Sequence, residues 1–106
     1  MENELLNKII YLLEDKKAID LTSIDVKEQT TLADYFVIAS GTSNTHIRAL
    51  ADNVEETLKK EQKYPNKIEG YNSEWILMDY GDIVVHIFTE KERQNFNLEE
   101  LYTKNN

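Results

Sequence analysis

The chain has 106 residues, of which 41% are hydrophobic and 30% are charged, and its formal net charge is −8. This length and composition predict one folded domain with a single hydrophobic core, and the apolar content is too high for a disordered chain. The sequence contains no cysteine, which excludes disulfides, thiolate metal sites and a cysteine nucleophile. Its Lys and Arg residues are scattered, so strong nucleic-acid binding is not expected.

The same sequence gives no sign of targeting to a membrane or out of the cell. No apolar run approaches the ~20 residues of a membrane span, and residues 1–4 lack the basic character of a signal or transit peptide. We therefore expect a soluble cytoplasmic protein. The acidic charge suits a basic protein partner, although solubility alone is an equally good explanation of it.

The first half of the chain predicts a helix followed by two strands. Residues 2–17 place apolar side chains on two neighbouring helical stripes. Part of this wide surface could serve a second subunit, although full burial in one core is the more common arrangement. Residues 18–27 alternate as in a strand, with an irregularity expected at Thr22-Ser23. Residues 35–39 form a continuous apolar run, which is typical of a strand covered on both faces.

A second helix is expected to begin near Ser43, the natural N-cap, with Thr42 and Asn44 as alternatives, and to continue to about Lys63. Pro65 follows the end of this helix. Later elements are predicted as an edge strand at 67–69, a hairpin at 75–88, and short helical pieces at 90–95 and 98–102.

The hairpin is the most informative segment. A two-residue loop at Gly81-Asp82 suits a type II′ turn, because glycine accepts the positive φ of the first central position. Side chains alternate between the two sides of a sheet, so the turn fixes two separate faces. One face is almost wholly apolar and is expected to join the core: Ile76, Met78, Tyr80, Ile83, Val85 and Ile87. The other face mixes large anchors with polar groups: Trp75, Leu77, Asp79, Val84, His86 and Phe88.

We interpret the mixed face as a partner-binding surface, because a core would not choose that set. Trp75 and Leu77 are expected to be exposed, and a hydrogen bond between His86 and Asp79 is predicted as an option. The alternative is that the C-terminal segment covers this face. For Phe88 the sequence does not decide between exposure and such a cover. The candidate covering residues are Phe96, Leu98, Leu101 and Tyr102.

The element order α-β-β-α-(β)-β-β-α predicts an α/β fold over residues 1–106, a single domain with a mixed β-sheet and helices mainly on one face. The polar loop at residues 40–44 lies between a strand and a helix, as phosphate sites do. The loop lacks both common glycine-rich phosphate-binding patterns. Its strand–loop–helix layout resembles the Gly-Ser segment at the start of the nucleotidyltransferase fold, but the Asp-x-Asp pair that holds the metal ions there is missing. Neither His46 nor His86 has metal-ligand spacing, so no catalytic, cofactor or metal residue is predicted.

The chain resembles the ribosomal silencing factor family, also called the RsfS or Iojap family, over nearly its whole length. The matching motifs are Ala-Asp-Tyr-Phe-Val-Ile-Ala-Ser-Gly-Thr-Ser at 33–43, Ile-Glu-Gly at 68–70, the hairpin segment 75–88 and Glu92-Arg93. Near the C-terminus the family usually shows Tyr-Tyr-Asp-Leu-Glu-x-Leu-Trp, where this chain has Asn-Phe-Asn-Leu-Glu-Glu-Leu-Tyr at 95–102.

The resemblance implies a non-enzymatic repressor of translation that uses no cofactor. It would bind the large ribosomal subunit through ribosomal protein fourteen and block joining of the small subunit, especially when nutrients are scarce. It also implies a homodimer in the free state and a fold related to nucleotidyltransferases without their carboxylates. Two other functions stay open: a nucleotidyltransferase-like enzyme, and an acidic protein-binding module unrelated to ribosomes.

Overall fold

The computed structural model describes residues 3–103, which form four helices and one five-stranded sheet. In chain order the elements are α1 (Glu4–Asp15), β1 (Ile19–Asp25), β2 (Tyr35–Gly41), α2 (Asn44–Lys60), β3 (Lys67–Glu69), β4 (Trp75–Asp79), β5 (Ile83–Thr89), α3 (Glu90–Phe96) and α4 (Leu98–Thr103). The predicted order is confirmed. Helix α1 is shorter than predicted at both ends, and Glu2 of that prediction lies outside the described residues.

The sheet is mixed, with the strand order β1-β2-β5-β4-β3. Only the central pair, β2 and β5, is parallel, and the other three pairs are antiparallel. The expected irregularity in β1 is present, but it falls between Ile19 and Thr22, next to Asp20, whose φ is +50°. It therefore precedes the Thr22-Ser23 pair where the sequence placed it.

Local sequence signals explain where the long helices begin. The side chain of Asn3 accepts a hydrogen bond from the Leu6 backbone N–H at 3.0 Å, and Ser43 Oγ accepts one from the His46 N–H at 3.1 Å. These N-caps satisfy backbone donors that have no partner inside the helix. Ser43 is thus the predicted N-cap of α2, although the helix ends at Lys60 rather than near Lys63.

Apolar layers lie on both sides of the sheet. Helices α1 and α2 cover one side, where the predicted core face of the hairpin is found. The second cluster lies on the other side, with Leu98 and Tyr102 of α4 packed against it: Ile24, Val26, Ala33, Phe36, Ile38, Val84 and Phe88. The expectation of helices mainly on one face holds for α1 and α2 but is wrong for α3 and α4. Strands β1 and β2 add too much apolar surface to the second side for it to stay in water.

Candidate functional site

The hairpin β4–β5 has the register that its turn predicts. Trp75 lies opposite Phe88, and Asp79 lies opposite Val84. The Tyr80 N–H donates to the Ile83 carbonyl at 2.9 Å, and Gly81 has a φ of +88°, which L side chains rarely adopt. Its two faces therefore divide the side chains as expected, one set into the core and the other toward the second side of the sheet.

Trp75 is the centre of an aromatic cluster on the second side. Its ring is half-buried and stacks on Phe88 with the centroids 5.0 Å apart. Phe96 of α3 contacts the same ring at 4.7 Å. The indole Nε1–H donates to Nδ1 of His86 at 3.1 Å, diagonally across the two strands. The polar end of the tryptophan is thus fixed within the protein, while the residue as a whole stays half-buried.

His86 is 4% exposed and packs against Phe36, with the ring centroids 4.7 Å apart. Burial lowers its pKa from 6.5 to about 4, so the ring is neutral at pH 7. Because the indole N–H can only donate, Nδ1 accepts and the proton of the neutral ring lies on Nε2. Nε2 is buried and has no hydrogen-bond partner in the described structure, a cost of about 1–3 kcal/mol.

The predicted hydrogen bond between His86 and Asp79 is wrong. The Asp79 Oδ1 atom instead accepts from the Gly81 N–H at 2.8 Å, so this carboxylate stabilises the turn. Trp75 takes the place at His86 that the sequence analysis gave to aspartate. The physical reason is side-chain length. A diagonal neighbour on the same face meets the histidine ring only if its side chain is long, as that of tryptophan is and that of aspartate is not.

Three of the six predicted partner-binding residues are not at the surface. Val84 is 7% exposed and Phe88 is fully buried, as is nearly all of His86. Trp75, Leu77 and Asp79 are half-buried and form a strip along β4. The expectation that Trp75 and Leu77 are exposed is wrong, because both pack against the second apolar cluster. The expectation of one open face is therefore wrong for the β5 side, where the alternative of a C-terminal cover applies. Whether any of the six contacts a partner stays a prediction.

The C-terminal cover is held by an ion pair that the sequence analysis missed. Arg93 donates from Nε and Nη2 to the two carboxylate oxygens of Glu99, at 3.1 and 2.7 Å. Its Nη1 donates to Ser40 Oγ at 2.9 Å. Arg93 lies in the Glu92-Arg93 motif, but a sequence gives no sign that α4 folds back onto it. Phe36 was missed for a similar reason, since its position beside β5 depends on long-range pairing.

The loop between β2 and α2 uses its polar groups internally. The Thr42 N–H donates to His46 Nδ1 at 2.9 Å, and His46 Nε2 donates to the Lys16 carbonyl at 2.9 Å. A Cβ on Gly41 would lie 2.7 Å from Ile47, so the loop packs closely on the helix. His46, expected at the surface, thus links this loop to the end of α1. Within residues 3–103, no three His, Asp or Glu side chains are grouped so that they could hold a metal ion.

Comparison with known proteins then decides the family. The sequence profile described as "Ribosomal silencing factor during starvation" matches residues 1–106. The ribosomal silencing factor RsfS of Zymomonas mobilis is 35% identical over 99 residues, covering 92% of this chain and 74% of the relative. The chain belongs to the ribosomal silencing factor family. The resemblance drawn from the hairpin and loop motifs is therefore confirmed.

Further relatives of the ribosomal silencing factor family share the sequence or the fold. The crystal structure of a Chromobacterium violaceum protein superposes with a TM-score of 0.93 at 34% identity, covering 100% of this chain and 90% of that one. The mouse protein named "Mitochondrial assembly of ribosomal large subunit protein 1" is 32% identical over 103 residues, or 92% of this chain and 45% of the relative. Family membership implies a role in ribosome-associated regulation of translation, and the kinship with nucleotidyltransferases stays a prediction. Among the helices of residues 3–103, none has the length and apolar character needed to cross a membrane.

Proposed function

We propose that this protein is a non-enzymatic repressor of translation that acts in the cytoplasm. It binds the large ribosomal subunit through ribosomal protein fourteen and sterically blocks the small subunit, especially under nutrient limitation. The observation that carries the proposal is the half-buried strip of Trp75, Leu77 and Asp79 on a chain of this family. The mouse relative is named for assembly of the large ribosomal subunit, which favours that subunit as the target.

The strip has the composition of a protein-docking site. An aromatic side chain covers ~150–250 Å² when fully buried, and tryptophan is among the usual interface hot spots. The aromatic stack of Trp75 on Phe88 and its bond to His86 hold the ring in one orientation before binding. A rigid anchor loses less conformational entropy when a partner covers it.

Charge supports a basic partner for this strip. The exposed carboxylates of Glu74 and Asp82 flank it at the two ends of β4, and Asp79 lies on the strip itself. Together with the net charge of −8, these groups would attract a basic protein such as a ribosomal protein and orient its approach. Salt would then slow association, since such steering is screened over about 8 Å at physiological ionic strength.

The non-enzymatic part of the proposal is supported by the β2–α2 loop. Its Thr42 N–H and its Ser43 side chain already have partners inside the loop and helix, so neither is directed at a substrate. An enzyme related to nucleotidyltransferases would bind a nucleotide together with Mg²⁺. Isothermal titration of the protein with ATP and MgCl₂ tests this alternative, and we expect no heat of binding.

Binding to purified ribosomal subunits tests the proposal directly. Trp75→Ala is expected to weaken binding to large subunits by about 2 kcal/mol, or about 30-fold in Kd. Tyr11→Ala is the matched control, because Tyr11 is an aromatic residue that is 61% exposed on α1, on the other side of the sheet. Equal affinity of wild type and Trp75→Ala for large subunits, or binding to small subunits alone, would contradict docking through the strip. Failure to sediment with either subunit would favour an acidic module unrelated to ribosomes.

Self-association of the free protein is a further part of the proposal. Leu5, Leu6 and Ile10 of α1 are only half-buried in the single chain, which leaves apolar surface for a second copy. Light scattering after size-exclusion chromatography is expected to give twice the mass of the chain. A monomer mass at micromolar concentration would contradict the dimer without affecting the docking strip.

A further inference from the structure

The mixed face of the hairpin, with its strip on β4 and its buried residues on β5, is called the docking face below. Helix α4 packs over β1 and β2, beside the β5 half of this face. Its Leu98 and Tyr102 pack against the buried cluster on that side of the sheet. The Tyr102 ring meets Phe36 edge-on with the centroids 4.9 Å apart, and Phe36 meets His86 in the same way at 4.7 Å. Phe36 lies beside β5, so α4 packs next to the buried half of the face, while Phe96 of α3 contacts Trp75 and Phe88.

Helix α4 is weakly built as an independent element. It has six residues, and an isolated helix of that length is not stable in water. It joins α3 through Asn97, whose left-handed backbone (φ 41°, ψ 52°) breaks the helix and provides a natural hinge. One of its large apolar residues, Leu101, is 70% exposed and contributes little to packing. The strongest described polar contact that holds α4 to α3 is the two-pronged ion pair of Arg93 with Glu99.

The buried histidine gives an independent reason to regard the covered state as incomplete. His86 is 4% exposed, and its Nε2 has no hydrogen-bond partner in the described structure. The His86 ring contacts Phe36, which in turn contacts Tyr102 of α4, so α4 lies one side chain away from this histidine. A buried donor without an acceptor destabilises the covered state, and a partner that supplies an acceptor would remove this penalty.

We propose, on the basis of the docking function above, that α4 is an intramolecular cover that a protein partner displaces when it binds. The partner places an apolar side chain on Phe36, where Tyr102 packs in the free protein, and offers a backbone carbonyl to Nε2 of His86. Arg93 and Glu99 form the latch that holds the cover closed. The partner would then contact Phe36 and His86 as well as the strip on β4, at the place that Tyr102 leaves.

A substitution that weakens the Arg93–Glu99 latch tests the cover without changing the strip on β4. Glu99→Gln removes one charge of the ion pair, and Glu56→Gln is the control with the same charge change on an exposed residue of α2. We expect Glu99→Gln to speed amide hydrogen exchange in peptides of α4 about tenfold, with β5 unchanged and the control like wild type. Since apparent affinity scales with the open fraction, large subunits should bind Glu99→Gln about tenfold more tightly.

Exchange in the complex provides the second measurement. In wild type bound to large subunits, α4 amides should lose protection while β5 amides gain it. Unchanged or increased protection of α4 in the complex would overturn the cover, as would faster exchange in Glu99→Gln without tighter binding. Unchanged exchange in free Glu99→Gln would overturn the latch. If wild type fails to bind large subunits at all, the proposed function fails, whereas the exchange of the free variants still reports on the cover.

Discussion

Replacing His86 by glutamine is expected to remove most of the acid sensitivity of the fold between pH 7 and pH 5. The ring is buried among Phe36, Trp75 and Phe88, and this burial lowers its pKa from 6.5 to about 4. The folded state therefore favours the neutral ring, and the unfolded chain takes up a proton first as the pH falls. The stabilisation is complete above pH 6.5 and is lost progressively down to about pH 4.

The size of the effect follows from the two pKa values. With a pKa of 6.5 unfolded and about 4 folded, the free energy of unfolding should fall by about 2 kcal/mol between pH 7 and pH 5 through His86 alone. Glutamine keeps an oxygen that can accept from the Trp75 indole N–H but does not titrate. All other side chains are the same in the two proteins, so their contributions to the pH dependence cancel in the comparison.

Urea denaturation followed by far-UV circular dichroism measures this difference. Fluorescence is less suitable, because Trp75 contacts the histidine and would respond to its charge directly. The free energy of unfolding of wild type should decrease between pH 7 and pH 5 by about 2 kcal/mol more than that of His86→Gln. Parallel pH profiles would refute the reasoning, since they would mean that His86 takes up its proton equally in both states.

Three further substitutions test the local interactions that position the site, each by urea denaturation. Ser43→Ala should destabilise the fold by about 1 kcal/mol, because the His46 N–H loses its cap; Ser43→Asp, which keeps a cap, should not. Asn53→Ala should cost about 1 kcal/mol, because its side chain donates to the Leu12 carbonyl at 2.9 Å and ties α2 to α1. Gly70→Ala should cost about 1–3 kcal/mol, because φ is +75° and a Cβ would lie 2.1 Å from the Trp75 carbonyl. Stabilities like that of wild type would contradict the assigned contacts.

The parts of the fold that could be predicted from the sequence are those set by neighbouring residues. Gly81 fixes the register of β4 and β5, and Ser43 fixes the start of α2. The continuous apolar run of β2 correctly indicated a strand covered on both faces. Each of these signals lies within a few residues of the feature that it determines, so it can be read without knowledge of the tertiary fold.

The packing of α4 on the second side of the sheet could not be predicted in the same way. Its formation depends on Phe36 lying beside β5, which follows from a parallel pairing between distant strands. Helix α4 is too short for its apolar spacing to indicate which side it buries. The partner of His86 was also mistaken, because Trp75 and Asp79 are both diagonal to it and only the side-chain geometry distinguishes them.

The parallel pairing of β2 with β5 has a consequence for how the protein becomes active. The hairpin β4–β5 forms between segments that are adjacent in sequence. The β2–β5 pairing instead joins residues that are distant in sequence, such as Tyr35 and Ile83. Contacts of this kind are slow to form, because the entropy of closing the loop is lost before the contacts are gained. We expect the docking face to be completed late in folding, after the helix between the two strands has packed. A chain still emerging from a ribosome would then lack the completed face that the proposed function requires.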